Sequence, residues 1–270
     1  PSIEFEWDLK EDAWYMDDNR VNSALVLEAA GQASIFLCSA LGEDFNSPDR
    51  VYRILSTTGI RFSTNPDRQA IDLPSAGERL SYKVTLKRKY NQGSTSFYFF
   101  SYQCWYQGRL LVEVDNAMAT LIPRGELAKA KGVSWTASEL KAEPTENRFV
   151  PALALKATEF SQKQIQDFAK GDAYGCFGEG FEALKSHQQS PRISNGQALQ
   201  LDEVVSLDTQ GGPGQLGYMK ATRKLSPDEW FFKAHFKGDP CMPAALTGAG
   251  CFQAMNSLFK RYRMPSSLIS

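Results

Sequence analysis

The sequence predicts an α+β protein in which two long helices each lie beside antiparallel strands. The first indication is an alanine- and leucine-rich run over residues 23–41, which contains no proline and ends before Gly42. A second such run covers residues 244–263. Between them lie runs rich in aromatic and β-branched residues, the composition typical of strands. The repetition of a long helix beside a sheet suggests a duplicated unit.

The strands of the first half follow its helix directly. Four strand-like runs are joined by turns such as NQGS and QG, and they cover residues 51–57, 78–90, 95–107 and 109–122. The pattern is lost after them, and residues 126–150 are predicted to be a linker or covering segment. The first half is therefore one long helix followed by an antiparallel sheet.

The second half begins after residue 150. Residues 161–172 predict a short helix, and residues 199–209 and 217–225 predict a hairpin around the turn GGPG. The segment WFFKAHF at 230–236 is strand-like in composition, and the second long helix follows it.

Composition excludes several classes of function. The chain has 270 residues, 42% of them hydrophobic, which is enough for one large or two small cores. Its formal net charge of −1 offers no electrostatic footprint for nucleic acid or an anionic membrane surface. No apolar run approaches the roughly 20 residues of a bilayer span, so none is expected. The acidic start lacks a signal-peptide core and an initiator methionine, so the chain is expected to be a piece of something longer.

The five cysteines form no Cys-x-x-Cys pair. This pattern indicates reduced, mostly buried thiols in a cytoplasmic protein. A zinc site is not expected, because neither histidine has a cluster of ligands around it. No glycine-rich phosphate loop is present in the sequence either.

Glu28 is the only charged residue within the first helix, and apolar residues surround it on every helical face. An ionised carboxylate is costly to bury, so Glu28 is expected to have a raised pKa or a partner. Gln32 lies one helical turn further on and is placed to orient the carboxyl group. A glutamate held by a purely structural hydrogen bond is the alternative interpretation.

His235 is one of two histidines and is flanked by phenylalanines in FFKAHFKGDPCMP. A histidine in such surroundings is commonly a hydrogen-bonded core residue. Here, however, GDPCMP must turn the chain into the helix that begins near Ala244, which puts the histidine beside a helix N-terminus. The other histidine, His187, lies in the polar segment SHQQSPR and is expected to be solvated.

The segment LDEVVSLDTQGGPGQLGYMKATRKLSPDEWFFKAHFKGDPCMP resembles the bacterial β-hydroxyacyl-acyl-carrier-protein dehydratase/isomerase family, whose fold is the hotdog. In that fold an antiparallel sheet wraps a long central helix. GDAYGCFGEGFEAL and DAWYMDDNRVNSALVLEAAGQASIF are similar to the tandem dehydratase regions of polyunsaturated fatty acid synthases or related polyketide-type synthases, which are built from paired hotdogs. The resemblance implies a double hotdog with domains 1–125 and 151–270, separated by 126–150. The second hotdog is expected to be truncated, because the later strands of the family would lie beyond the end of the chain.

The resemblance also implies where the catalytic pair lies. In the family a histidine on one hotdog meets a carboxylate on the central helix of its partner. Setting Val21-Asn22 against Met242-Pro243 places Glu28 at the acidic position of the first helix and Ala249 at that of the second. Each half then lacks what the other has, and one composite site is expected from His235 and Glu28. The mirror-related site is expected to be inactive.

The activity that the resemblance implies is the dehydration of a 3-hydroxyacyl thioester carried on the phosphopantetheine arm of acyl carrier protein. His235 would be the base and a protonated Glu28 the acid, while backbone N–H groups at the second helix would bind the thioester oxygen. Isomerisation of the double bond by the same histidine is a further option. The expected substrate-binding residues are Gln32, Gly238, Pro243, Ala244 and Ala245.

The partners expected from the resemblance are acyl carrier protein, the other domains of a large synthase and a second copy of the chain. No cofactor is expected besides the phosphopantetheine that carries the substrate. Two other functions remain open. A thioesterase of the same fold would need only the carboxylate of the central helix, which Glu28 would supply. A non-catalytic module that docks acyl carrier protein is the second, given Ala249 and the expected truncation.

Overall fold

The computed structural model describes residues 1–45, 48–63, 73–132, 156–186, 192–209, 211–212, 217–236 and 238–259, with side chains up to Met255. The chain divides into two compact units, one formed by Pro1–Gly132 with His235–Ala245 and the other by Val133–Ala234 with Leu246–Ser270. The segment that carries His235 thus belongs to the same unit as the first long helix. The predicted domain boundaries remain a prediction, and residues 133–150 of the predicted linker lie outside the described residues, as does His187.

The elements of the first unit are β1 (Ser2–Asp8), the short pair β2 (Met16–Asp17) and β3 (Arg20–Val21), helix α1 (Ser23–Ala40), β4 (Arg50–Phe62), β5 (Arg79–Gln92), β6 (Thr95–Tyr106), β7 (Arg109–Pro123) and the single turn α2 (Arg124–Leu127). Five of these strands form an antiparallel sheet in the order β1-β5-β6-β7-β4. Buried and half-buried residues alternate along β6, as expected of a strand with one face on the core.

Helix α1 is the core helix of this unit. The Asn22 side chain caps its start by accepting a hydrogen bond from the N–H of Ala24 at 3.0 Å. The helix packs against β1, β5 and β6, and the hydroxyl of Tyr82 on β5 donates to the carbonyl of Val26 at 3.2 Å. Long helix and antiparallel sheet together are the hotdog arrangement, so the predicted fold is confirmed here.

Strand β1 was not predicted from the sequence, because acidic residues dominate the start of the chain. The segment SIEFEWD nevertheless alternates polar and apolar residues, which is the signature of a strand. Ile3, Phe5 and Trp7 pack against the core, and the ring of Phe5 stacks on Tyr82 with centroids 4.6 Å apart. The first unit therefore has an edge strand ahead of its central helix.

One helix among the described residues is long and apolar enough to cross a membrane by length and composition, in contrast to the expectation that no such run exists. It is Ser23–Ala40, with a mean hydropathy of 1.4. The core helix of a folded domain satisfies the same criterion, and α1 is such a helix here. The length and hydropathy of α1 are therefore weak evidence for a membrane span.

The second unit has its own core. Its described elements are α3 (Gln162–Ala169), α4 (Ala173–Phe177), β8 (Glu203–Asp208), β9 (Tyr218–Thr222), α5 (Ala244–Phe259), whose first two residues belong to the other unit, and 3₁₀ turns at Glu182–Ser186, Gly196–Ala198 and Trp230–Lys233. Ser161 and Gln164 form a capping box at the start of α3. β8 and β9 pair as the predicted hairpin. The full second hotdog stays a prediction.

The prediction of a strand over residues 230–236 is wrong. Trp230–Lys233 form a 3₁₀ turn, closed by hydrogen bonds such as that from the N–H of Ala234 to the carbonyl of Phe231 at 3.1 Å. Aromatic composition favours strands only where a neighbouring strand can pair. This segment is short and lies between Pro227 and the turn at Gly238, so local bonds satisfy its backbone instead.

We expect substitutions on the two faces of β6 to lower the free energy of unfolding by different amounts. Replacing Phe100, which is 1% exposed, with alanine should lower the free energy of unfolding by about 3–5 kcal/mol. Replacing its neighbour Phe99, which points to the other face beneath Arg88, should cost about 1 kcal/mol. Urea unfolding followed by circular dichroism measures both. Equal losses would show that the two faces do not differ in burial as described.

Candidate active site

Glu28 lies on the buried face of α1 and is 9% exposed. Withdrawal from water disfavours its charged form, and this raises the pKa of Glu28 to about 7, although a hydrogen bond from Gln32 acts in the opposite direction. The predicted raised pKa is thus present, and so is the contact with the amide one turn further on. Gln32 itself is exposed. The carboxyl group is protonated over much of the range below neutrality.

His235 lies in a tight loop that precedes α5. Its ring Nδ1 is 3.1 Å from the carbonyl oxygen of Cys241, and the N–H of Cys241 donates to the carbonyl of His235 at 2.8 Å. The ring also stacks on Phe236 with centroids 4.1 Å apart. A carbonyl oxygen can only accept, so Nδ1 carries the proton of the neutral ring and Nε2 carries the lone pair.

The structure brings Nε2 of His235 to 3.6 Å from Oε1 of Glu28, with side-chain exposures of 17% and 10%. This distance is longer than a hydrogen bond. Burial lowers the pKa of His235 below its ordinary 6.5, while burial raises that of Glu28. Both shifts favour the uncharged forms, so at a pH between the two pKa values a neutral pair is favoured over an ion pair. A basic nitrogen thus faces a protonated carboxyl group.

Four other predicted site residues belong to the histidine loop or to the start of α5. Gly238, with a φ of +77°, belongs to the histidine loop, and its carbonyl accepts a hydrogen bond from Arg124 at 3.0 Å. Pro243 is buried, and Ala244 and Ala245 open α5, the first exposed and the second half-buried. All four belong to the unit that contains Glu28. Their roles toward a substrate remain a prediction.

Sequence reasoning missed the residues that hold the histidine loop. Arg53 on β4 makes a bidentate ion pair with Asp239, with distances of 2.6 and 3.0 Å, and Arg124 reaches the same carboxylate at 3.3 Å. The arginines lie 186 and 115 residues away from Asp239 in the chain. The only local signal was an aspartate in a turn, which does not identify its partner.

Tyr102 on β6 is a further neighbour of Glu28 that the sequence did not reveal. Burial raises the pKa of its hydroxyl to about 12, a hydrogen bond with Ser34 acts against this, and the charge of Glu28 adds to the increase. Ser34 in turn donates to the carbonyl of Gly31 at 2.6 Å. The hydroxyl stays neutral and forms part of the polar surroundings of the carboxyl group.

The corresponding positions of the second unit are arranged differently. Ala249 is 8% exposed and carries no acid. Gln253 accepts from the N–H of Gln200 at 2.8 Å and donates to the carbonyl of Ala198 at 2.8 Å. Both ends of this amide are therefore committed to the backbone of its own unit. Across the described part of the chain, no group of three or more His, Cys, Asp and Glu is arranged to hold a metal ion.

Part of the chain matches a known protein family. Residues 193–266, which include the histidine loop, match the FabA-like domain family, and the predicted resemblance is confirmed for this part of the chain. Over 242 residues the chain is 32% identical to one of the subunits of the polyunsaturated fatty acid synthase of Thraustochytrium sp.. The match covers 85% of this chain and 15% of that relative. The chain thus spans only a small part of the length of that relative.

Solved structures with similar folds include proteins of different activity. The dehydratase heterocomplex ApeI:P from Xenorhabdus doucetiae is 15% identical, with a TM-score of 0.37, covering 47% of this chain and 80% of that chain. A probable thioesterase from Bartonella henselae is 17% identical, with a TM-score of 0.33, covering 46% and 92%.

The raised pKa of Glu28 predicts how stability depends on pH. Because the folded carboxyl group binds its proton more tightly than the unfolded one, its contribution is complete below about pH 4.5 and is lost as the pH rises to about 7. Replacing Glu28 with glutamine removes this loss. At pH 8 the variant should be more stable than the original chain by on the order of 3 kcal/mol, and at pH 4.5 the two should differ little. Urea unfolding at both pH values measures this; an equal difference at both would contradict the buried, raised carboxyl group.

Proposed function

We propose that this chain dehydrates 3-hydroxyacyl thioesters carried on acyl carrier protein to enoyl thioesters, as part of polyunsaturated fatty acid synthesis. The observation that carries the proposal is the close approach of two buried side chains, with Nε2 of His235 3.6 Å from Oε1 of Glu28 within one compact unit. Loss of water from a 3-hydroxyacyl group needs a base at the α carbon and an acid at the hydroxyl group. The pair supplies one of each in the protonation states that the reaction requires.

The proposed base is Nε2 of His235. The contact of Nδ1 with the Cys241 carbonyl leaves the lone pair on Nε2, which faces Glu28. The lowered pKa of the imidazole keeps the ring neutral near pH 7. Nε2 would remove the proton from the α carbon, and the electron pair of that C–H bond would form the new double bond.

The proposed acid is Glu28. With a pKa of about 7 it retains a proton close to neutral pH, and it would give this proton to the hydroxyl group, which leaves as water. The products of the step are an imidazolium and a carboxylate. Because the pKa of Glu28 lies above that of His235, the proton returns to the carboxylate and the neutral pair is restored.

Backbone N–H groups at the start of α5 are the proposed stabilisers of the thioester oxygen. Ala244 and Ala245 are the first residues of that helix, and the first N–H groups of a helix have no partner within it. Such groups favour negative charge, which develops on the thioester oxygen as the proton leaves. Gln32 is proposed to orient Glu28, and Gly238 and Pro243 are proposed to contact the substrate beside the histidine.

The partners we propose follow from the relative in Thraustochytrium sp. That relative is by name one part of a polyunsaturated fatty acid synthase, so the substrate would arrive on acyl carrier protein within such an assembly. Pairing with a second copy of the chain and a cytoplasmic location belong to the same proposal. The free cysteines support a reducing compartment. Isomerisation would need His235 to remove a proton from the γ carbon of the enoyl thioester and to return a proton to the α carbon, so that the double bond moves from the α,β to the β,γ position. Analysis of the product determines whether this happens.

Replacing His235 with alanine should abolish dehydration of a 3-hydroxyacyl-pantetheine thioester, with a loss of at least about 10²-fold, because the variant lacks the proposed base. Glu28→Gln should lose a similar factor, since an amide cannot donate the proton. Formation of the conjugated enoyl thioester, followed by its ultraviolet absorbance, measures the rate. His187→Ala is the matched control and should retain full activity, because it removes the other histidine.

The same assay separates the competing functions. Release of free thiol and acid that depends on Glu28 but not on His235 would identify a thioesterase. Binding of acyl carrier protein without any turnover would identify a docking module. Full activity of the Glu28→Gln variant would reject the proposed acid.

The activity should have a bell-shaped pH profile. It should rise as His235 loses its proton, with an apparent pKa below the ordinary 6.5, and fall as Glu28 loses its proton with an apparent pKa of about 7. The optimum therefore lies between the two apparent pKa values, below pH 7. Steady-state rates measured between pH 5 and pH 9 test this; a rate that continues to rise to pH 9 would show that no protonated acid is needed.

A further inference from the structure

We infer that Arg53 is a positioning residue, which holds the His235 ring opposite Glu28 by binding the carboxylate of Asp239. The expected effect of Arg53 on catalysis rests on the proposed function. The contact between Arg53 and Asp239 and its effect on the position of the ring do not. Arg53 lies on β4, far from the histidine in sequence. Its two terminal nitrogens donate to the two oxygens of Asp239 at 2.6 and 3.0 Å.

Backbone hydrogen bonds in the loop that contains His235 and Cys241 couple the position of Asp239 to that of the histidine. The N–H of Phe236 donates to the carbonyl of Asp239 at 3.0 Å, and the N–H of Asp239 donates back to the carbonyl of Phe236 at 3.1 Å. The N–H of Cys241 closes the outer turn on the carbonyl of His235 at 2.8 Å. Asp239 and His235 are therefore parts of one closed turn, and an anchor on the first fixes the second.

The sheet brings two arginines to this turn. β4 and β7 are antiparallel, and the register pairs Arg53 with Thr120 and Arg50 with Pro123, so the start of β4 lies beside the end of β7. Arg124 follows β7 directly and reaches both Asp239, at 3.3 Å, and the carbonyl of Gly238, at 3.0 Å. The register of β4 shifts between Ile54 and Ser56, immediately after Arg53. Such irregularities re-aim neighbouring side chains.

The ion pair is shielded from solvent. The side chains of Arg53 and Asp239 are 23% and 15% exposed. The hydrogen bond with Arg53 is the main reason why the pKa of Asp239 lies below its usual value. Bidentate pairs of this kind fix geometry as well as charge, because the guanidinium plane must align with the carboxylate. Arg61 on the same strand makes a comparable pair with Asp115 at 2.6 and 2.7 Å, but its side chain is 57% exposed.

Several charged or titratable groups surround His235. The pKa of its imidazole is therefore a second measurement of whether Arg53 positions the ring. Arg53 lowers the pKa of the imidazole and Asp239 raises it, next to the larger lowering by burial. Glu28 faces Nε2, and Cys241 Sγ lies 3.4 Å from Nδ1. Loss of Arg53 removes a cation that lowers the pKa of His235, so the pKa of His235 should rise.

The test compares Arg53→Ala, Arg53→Lys, Asp239→Asn and the double variant Arg53→Ala/Asp239→Asn in the 270-residue chain, with Arg61→Ala as matched control. We expect Arg53→Ala to lower kcat by about 10- to 100-fold with KM little changed, since a misplaced base slows chemistry more than binding. Arg53→Lys, which keeps the charge but not the planar fork, should lie between. The double variant should be no slower than the slower single variant, because both remove the same contact. Arg61→Ala should keep the original rate.

Nuclear magnetic resonance of the imidazole tests the geometry without any turnover. His187→Gln leaves His235 as the only histidine, so its ring signals can be titrated in isolation. We expect Arg53→Ala to raise the pKa of His235 toward 6.5 and Arg61→Ala to leave it unchanged. Additive losses in the double variant, or an Arg53→Ala variant with the original rate and the original titration, would overturn the inference. If the original chain shows no dehydration at all, the proposed function fails, while the titration still decides whether Arg53 positions the ring. Should Arg53→Ala not fold, Arg53→Lys carries both measurements.

Discussion

The exclusion of water from one carboxyl group and one imidazole is the constraint on which the rest of this molecule depends. Without His235, the buried Glu28 would only destabilise the fold, because burial disfavours its charged form. Opposite His235, which burial also favours in its neutral form, the same constraint produces an acid and a base side by side. An ion pair would hold both groups in forms unable to start the proposed reaction. Burial thus favours the protonation states that the proposed reaction needs, at a cost in stability that falls on the central helix.

Two separate sets of contacts keep this pair together. Tyr82 and Tyr102 attach α1 to the sheet at Val26 and Ser34, on either side of Glu28. The loop that carries His235 is tied to the same sheet at its far end, through Arg53 and Asp239. The helix that carries Glu28 and the loop that carries His235 are therefore both attached to the same sheet. A few tenths of an ångström matter for proton transfer, and a sheet with long paired strands changes shape less than a loop does.

The sequence was informative where the physics is local. Composition identified α1 within one residue, four strands of the main sheet, the hairpin and the unusual position of Glu28. It misjudged Trp230–Lys233, because a strand needs a partner that composition does not provide. It overlooked β1 despite a clear alternation. The anchor on Asp239 could not be predicted, since the bulge and the register that aim Arg53 arise only when distant strands pair. Proximity of Glu28 and His235 required the family resemblance as well.

In the second unit, helix α5 has Ala249 at the position where the family pattern places an acid, and its buried face packs against its own unit. At Ala249 and Gln253 the face of α5 is buried, and the amide of Gln253 bonds to the backbone at Ala198 and Gln200 instead of orienting a carboxyl group. Gly250 allows this close approach, because a Cβ there would lie 3.0 Å from the carbonyl oxygen of Gln200. A carboxylate at position 249 would be enclosed with no histidine provided by the family pattern, and would carry the cost of burial without the compensating chemistry. The cost of burying ionisable groups therefore falls on the unit that contains Glu28 and His235, and the described face of α5 is used for packing.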